Sequence, residues 1–372
     1  MTYRPAATAS AYLIFLWVAH ASFAADGPAD RLPGSRAALL PVIDLSGNEA
    51  ATARVEHELA IRLDLRLGAP LIRGTEVRDW ARRFRIRNLG SETPERLAKL
   101  AEGLGVDWLF LATLFEAIDD PLPRVTLSAK VLHKGSDLVP WAGYVSTTGL
   151  SEAGLLGVGL VEDLEELEQL CALRLADDLA DYLSGEPPRI ASGGRARGFV
   201  STELTHQHLE RIAILPFDSV VDKDAQRAAA LITDLAYVSL HRLGVQPLAP
   251  GLIEQAIREV AFSVAGSVDP DVRALLYESR GVQAVLTGTI DVMGFARKGL
   301  EPEPIVELGV RLVGARDGRI LWTVDEARRG WDNAAPFGFR RIYSPGLLAE
   351  HIMGMMAASL VGESGRREDM RP

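Results

Sequence analysis

The phrase RAALLPV beginning at Arg36 returns as RIAILPF beginning at Arg211, so the chain must adopt a fold that can be built twice. Arg36, Ala38, Leu40 and Pro41 recur as Arg211, Ala213, Leu215 and Pro216, 175 positions on. After one added residue the separation is 176, and it stays there. Leu59-Ala60 returns as Leu235-Ala236, the RLG at Arg66 as the RLG at Arg242, Pro94 as Pro270, Gly105-Val106 as Gly281-Val282, and Thr113 as Thr289. A longer loop in the second copy then sets it to 181, at which Val125, Leu127, Trp141 and Gly149 correspond to Val306, Leu308, Trp322 and Gly330. A register held over this length marks a tandem duplication.

Each copy has one plan. AALLPVIDL and IAILPFDSV are continuous apolar runs, the pattern of a strand covered on both faces. An amphipathic helix follows, with Val55, Leu59 and Leu63 in the first copy and Leu231, Leu235 and Val238 in the second. Gly68 and Gly244 are its expected C-terminal caps. A short extended piece leads to a second helix, predicted over Glu76 to Arg85 and Leu252 to Ala261. Thr93-Pro94 and Asp269-Pro270 each place a capping side chain before a proline at the first helical position of a third helix. VDWLFLATL and VQAVLTGTI read as buried strands, and a hairpin follows, clearest where Asp317-Gly318 turns between alternating strands. A last helix, Glu162 to Leu183 or Leu347 to Leu360, completes the unit.

These elements predict an α/β fold: two duplicated α/β sandwich domains, each a mixed β-sheet packed with helices. The expected division is residues 1–24 as a signal peptide, 36–184 as the first domain, 185–209 as a Pro/Gly/Ser-rich linker, 210–362 as the second domain, and 363–372 as a polar disordered tail. At 372 residues the chain has room for two cores of ordinary size. Its net charge of −10, with no dense Lys/Arg cluster, argues against a nucleic-acid partner.

Arg4, the apolar run Ala11 to Ala19 and the small residues of Ser22-Phe23-Ala24 form an export signal with cleavage before Ala25. An uncleaved anchor is the alternative, although the strongly apolar part is short for a hydrocarbon core of about 30 Å. The single cysteine, Cys171, permits no intramolecular disulfide and lies far from the cleavage site, so no lipid-anchoring cysteine follows it. The expected location is the periplasm, with any outer-membrane association made through partners.

RIAILPF, the helix ending in RLG, GVQAVLTGTI and VRLVGARDGRILWTV, in this order, resemble the domain shared by CsgG-type curli-secretion lipoproteins and the amino-terminal domain of TolB. A related domain occurs in lipoprotein activators of penicillin-binding proteins. The second copy carries the likeness better; the first has Ala112 where the second has Gly288. The resemblance implies a non-catalytic envelope domain that assembles with other envelope proteins, and it supplies no catalytic residues. The chain departs from the family in lacking the lipidation cysteine, a propeller after the domain, and paired strands suited to a membrane barrel.

Candidate chemistry is sparse. The glycines of GLLGVGLVEDL, at Gly154, Gly157 and Gly159, lack phosphate-loop spacing and read as an apolar lead-in to a helix. His206 and His208 have no third ligand nearby. Cys171 falls on an apolar helix stripe and reads as core, and Trp141 and Trp322, at matching positions on the closing strands, read as core or edge packing. The run EDLEELE, Glu162 to Glu168, reads as a solvated helix face. No catalytic, cofactor-binding or metal site is nominated. The segment Gly330 to Gly346 gathers Trp331, Phe337, Phe339, Arg340, Arg341 and Tyr343 among Gly and Pro. Two readings of it stay open: a partner contact surface, or a cover for the sheet edge of its own domain.

The expected function is therefore that of a non-enzymatic exported protein, an assembly or adaptor component of secretion, outer-membrane or cell-wall machinery. Its partners would be envelope proteins, with a homo-oligomer left open. The alternative is a ligand- or glycan-binding module that uses the cleft between the two domains.

Overall fold

The computed structural model describes residues 36–362, apart from 69, 87–88, 91, 121, 153–158, 187–195, 197, 205–208, 221–223, 261–267, 299–300 and 333–340. The first half runs β1 (Ala37–Leu39), β2 (Ile43–Asp44), α1 (Glu49–Leu67), α2 (Thr75–Arg83), α3 (Pro94–Leu104), β3 (Trp108–Ile118), β4 (Arg124–His133), β5 (Trp141–Thr148) and α4 (Leu164–Ser184). After β6 (Gly198–Val200) the second half repeats the order. It comprises β7 (Ile212–Ile214), β8 (Asp218–Ser219), α5 (Ala225–Arg242), α6 (Pro250–Val260), α7 (Pro270–Arg280), β9 (Ala284–Lys298), β10 (Glu301–Gly314), β11 (Ile320–Arg329) and α8 (Pro345–Gly362).

Both sheets are mixed. The first has the order β1-β3-β4-β5, parallel at β1/β3 and antiparallel beyond, with β2 also on β3. The second has the order β6-β11-β10-β9-β7, with β8 on β9. The apolar opening run is two short strands rather than one. It breaks around Pro41, which has no N–H to give a ladder, and it resumes on the same neighbour as β2. Within the stretch read as a linker, β6 pairs with β11, and Ala196 and Leu204 are buried.

Most helix ends follow the expected signals, but the Thr93 side chain makes no capping bond and α5 ends with Leu243 as its cap, with the left-handed Gly244 one residue later. Gly68, Gly105 and Gly281 take left-handed conformations as C-caps, and the Asp269 side chain accepts from the Asp271 N–H. Asp163 caps α4 by accepting from the Glu166 N–H, and Ser344 caps α8 by accepting from the Leu347 N–H. These caps are themselves 181 positions apart. So are the loops before them, each closed by an N–H of Val161 or Ile342 on the carbonyl of Gly149 or Gly330. The glycine-rich stretch of the first copy and the aromatic stretch of the second therefore occupy the same place in the repeat.

One face of the first sheet packs on α1 and α4, where Leu39, Phe110, Leu127 and Trp141 meet Val55, Leu59, Leu167 and Cys171. The opposite face meets α2 and α3 near β1 and β3, and α5 and α8 near β5. The second sheet packs Ile214, Leu286, Leu308 and Val310 on those same two helices, while Ala213, Leu215 and Val285 meet α6 and α7. Helices α5 and α8 thus lie between the two sheets. This explains why α5 is buried without a break from Asp234 to His241, whereas α1 buries a single stripe.

The acidic run at the start of α4 is only partly the solvated face expected of it. Glu162, Glu165 and Glu166 are exposed, but Glu168 is fully buried and bonded at both oxygens by Arg54, at 2.7 Å each. Residue 168 turns inward with Leu164 and Leu167, and the charge is tolerated because a guanidinium fork meets it. Burial pushes the Glu168 carboxyl up, with Arg54 pulling it back. A carboxyl whose folded value lies above its unfolded one favours the folded state most when protonated, and its contribution falls as pH rises through the folded value. Arg54→Ala removes the opposing pull. Its expected cost is about 2–4 kcal/mol near neutral pH, reduced because Arg54 is itself partly exposed. The cost should shrink as pH falls below the ordinary carboxylate value of about 4.3, towards about pH 3, where Glu168 is mostly protonated in both states; urea midpoints at the two pH values measure this.

Candidate functional site

The two halves meet along a polar seam built on β4 and β5. Alternate residues of these strands point away from α1 and α4, so Thr126, Ser128, Lys130, Ala142, Tyr144 and Ser146 face α5 and α8. All six are buried. Asp234 of α5 accepts from both the Lys130 ammonium and the Ser128 hydroxyl, and Lys130 Nζ lies 5.2 Å from the Tyr237 ring centroid. A lysine and an aspartate withdrawn from water must be paired, and each finds its partner on the other half.

Further along the seam, Thr126 Oγ1 and Ser146 Oγ are 2.9 Å apart, and Ser146 Oγ is 3.1 Å from Ser344 Oγ. Here α8 presents Gly346. A Cβ on it would stand 2.7 Å from Ser146 Oγ and 2.9 Å from both Thr126 Oγ1 and Tyr144 Oη. Only a residue without a side chain lets the helix approach this closely. Burial pushes the Tyr144 phenol well above its ordinary value, so it stays protonated in the seam. Glu350 of α8 meets Arg242 of α5 at 3.1 Å.

The rim of the seam is held by backbone and charge. Val139 N–H donates to Pro247 O at 2.9 Å and Ala249 N–H to Asp137 O at 2.7 Å. Arg211 and Arg280 both reach the Asp137 carboxylate, at 3.6 and 3.4 Å, and Arg280 also lies 3.5 Å from Glu95. Gly251 of α6 sits against the backbone of Glu92. The region between the halves, expected as a cleft in the alternative reading, is thus largely occupied by direct contacts.

Of the segment nominated for partner contact, the structure describes Trp331, Arg341 and Tyr343, all half-buried; Phe337, Phe339 and Arg340 lie outside the described residues. The Arg341 guanidinium lies over the Trp331 ring, 4.7 Å from its centroid. The loop closes on its own half: Gly330 N–H donates to Pro304 O and Ile342 N–H to Gly330 O, at 2.9 and 2.8 Å. Gly154, Gly157, His206 and His208 also lie outside the described residues. Cys171 is fully buried, and burial pushes its thiol up, away from reactivity. Trp141 and Trp322 are core residues. Among the described residues there is no cluster of three His, Cys, Asp or Glu arranged to hold a metal. Nor is any helix among them long and apolar enough to cross a membrane.

Sequence reasoning missed the seam. Its signal was present in the all-round apolar character of α8 and of the second turn onward in α5, which a helix facing one sheet does not need.

No family model matches this sequence, and no curated protein matches it by sequence. Several solved structures match part of it. A PelC dodecamer from Paraburkholderia phytofirmans is similar at 16% identity over 45% of this chain and 96% of its own, with a TM-score of 0.30. Lipoprotein GNA1162 from Neisseria meningitidis is similar at 21% identity over 38% of this chain and 94% of its own, with a TM-score of 0.29. The LpoB C-terminal domain from Salmonella enterica is similar at 14% identity over 37% of this chain and 87% of its own, with a TM-score of 0.22.

Three variants test the seam. Lys130→Met leaves Asp234 buried without its cation, and should cost about 3–5 kcal/mol in chemical denaturation. The double variant Lys130→Met/Asp234→Leu should recover most of that loss, since an apolar pair of similar volume replaces a buried ion pair at little cost. Gly346→Val should lower stability by about 1–3 kcal/mol through overpacking. It should also raise amide exchange in β5 and α8 together, a coupled change that hydrogen-exchange mass spectrometry resolves.

Proposed function

We propose that the chain is a non-enzymatic adaptor of the bacterial cell envelope, a rigid pair of α/β modules that brings envelope proteins together by protein–protein contact. The observation that carries this is the seam itself. Within one chain, the sheet face of one module serves as the receptor and the α5–α8 pair of the other as the ligand, so the fold is used here as a protein-docking module. The export signal read in residues 1–24 and the resemblance to CsgG-type and TolB amino-terminal domains support a role in the periplasm. The proposed contact residues are those of the aromatic loop: Trp331, Phe337, Phe339, Arg340, Arg341 and Tyr343.

The test is cross-linking in intact cells that produce the full chain, followed by purification and mass spectrometry. Reproducible recovery of the same envelope protein, weakened several-fold by Trp331→Ala/Tyr343→Ala, is the expected outcome. Recovery of no envelope protein in repeated experiments would overturn the adaptor reading. Amino-terminal sequencing of the exported protein should begin at Ala25; a retained Met1 would instead support the anchor.

A further inference from the structure

The repeat makes it possible to ask what covers the same sheet face in each half. In the first sheet that face is Phe115, Thr126, Lys130, Tyr144 and Ser146, all buried. At equivalent positions the second sheet carries Asp291, Glu307, Arg311, Asp325 and Ala327, all exposed, while the equivalents of Ser128 and Ala142 are the buried Gly309 and the half-buried Thr323. The equivalence is geometric as well as sequential. Each half has its strand irregularity at the same place, after Leu114 in β3 and opposite Glu307 in β9 and β10. Thr126, Phe115 and Tyr144 have thus become three carboxylates, and Lys130 has become Arg311. Between them lies Gly309, with the Asp325 carboxylate close over it.

The opposite end of the tandem is the outward side of α1 and α4. Where α5 and α8 offer Asp234, Ser344 and Gly346 to the first sheet, α1 and α4 carry Glu58, Asp163 and Glu165. If a second copy were added head to tail, Glu58 would answer Arg311. However, Asp163 and Glu165 would be driven against Glu307 and Asp325. Glu165 would also bring a long side chain to the position where α8 presents Gly346 to the first sheet. Like charge therefore opposes head-to-tail addition of a second copy in this arrangement.

We propose that this open face of the second sheet is a docking surface for an α-helix of a different protein, one that offers a small residue flanked by Lys or Arg to Glu307 and Asp325. This rests on the adaptor reading and gives it a surface and a partner chemistry. The first sheet shows how such a face is occupied: a glycine-bearing helix turn lies flat on the strands, and the strand charge of Lys130 is answered by Asp234 of the helix pair. On the second sheet the unanswered charge is mainly negative, so the complementary helix is basic.

The experiment uses the chain itself as a probe. In the variant Asp163→Ser/Glu165→Gly/Glu166→Lys, the start of α4 copies Ser344 and Gly346 of α8 and adds a base, while the introduced serine hydroxyl keeps a capping oxygen at the helix start. Circular dichroism confirms folding, and light scattering coupled to gel filtration reads the mass. Wild type should elute as a monomer. The variant should bind wild type at least tenfold more tightly than wild type binds itself, and adding Asp325→Lys/Glu307→Lys to the wild-type partner should abolish the gain. A folded variant that associates no better than wild type overturns the proposal, as does wild type that self-associates through this face. In cells, a photo-cross-linking residue at Thr323 or Ala327 should attach to a Lys/Arg-bearing helical segment of another protein, and Asp325→Lys should remove the adduct. Adducts from Tyr343 alone would leave the adaptor reading standing and overturn this surface.

Discussion

The pairing of Lys130 with Asp234 ties the two halves into one body, because neither charge can remain buried without the other. Each lies on a surface that would face water if its half stood alone, and Ser128 and Tyr237 complete the environment of the pair. The apolar contacts around them are less selective, since Ala142, Tyr144 and Leu348 would accept many neighbours. The charge pair and the glycine at position 346 set the register at which α8 lies across β5. Fixing that register joins the two halves through a buried, hydrogen-bonded seam as well as through the chain.

The duplication has been used asymmetrically. One copy of the sheet face became a buried, mostly neutral seat, and the other became open and acidic. One copy of the helix pair became buried against a sheet on either side, and the other kept a single buried stripe with an acidic start. Divergence at equivalent positions therefore maps the chemistry each end must satisfy. The loops before α4 and α8 follow the same pattern: they close with the same backbone bond, yet one is rich in glycine and leucine and the other in aromatics and arginine.

Much of the architecture was legible from the residues. The repeat register, the C-cap glycines at 68, 105 and 281, the prolines that open α3 and α7, the Asp269 cap and the Asp317-Gly318 turn are local signals that the structure honoured, whereas the Thr93 side chain gives no cap bond. The strand break around Pro41 was half-visible: the missing N–H was clear, but not that β2 would resume on the same neighbour. Glu168 was read as solvated because an acidic run usually is. Its burial depends on Arg54, 114 positions earlier, and no local pattern announces that contact.

What the sequence determined by itself is the unit: its strand and helix order, its duplication and the absence of a legible catalytic pattern. Periodicity and turn chemistry act over a few residues and survive in any context. Only the tertiary structure decided how the units meet. That outcome turns on single positions spread across 220 residues, from Thr126 to Gly346, whose meaning appears when the strands and helices bring them within hydrogen-bond distance. It also decided which face of the repeat is left open, because a strand alternation says that a residue points outward but not whether another helix is waiting there.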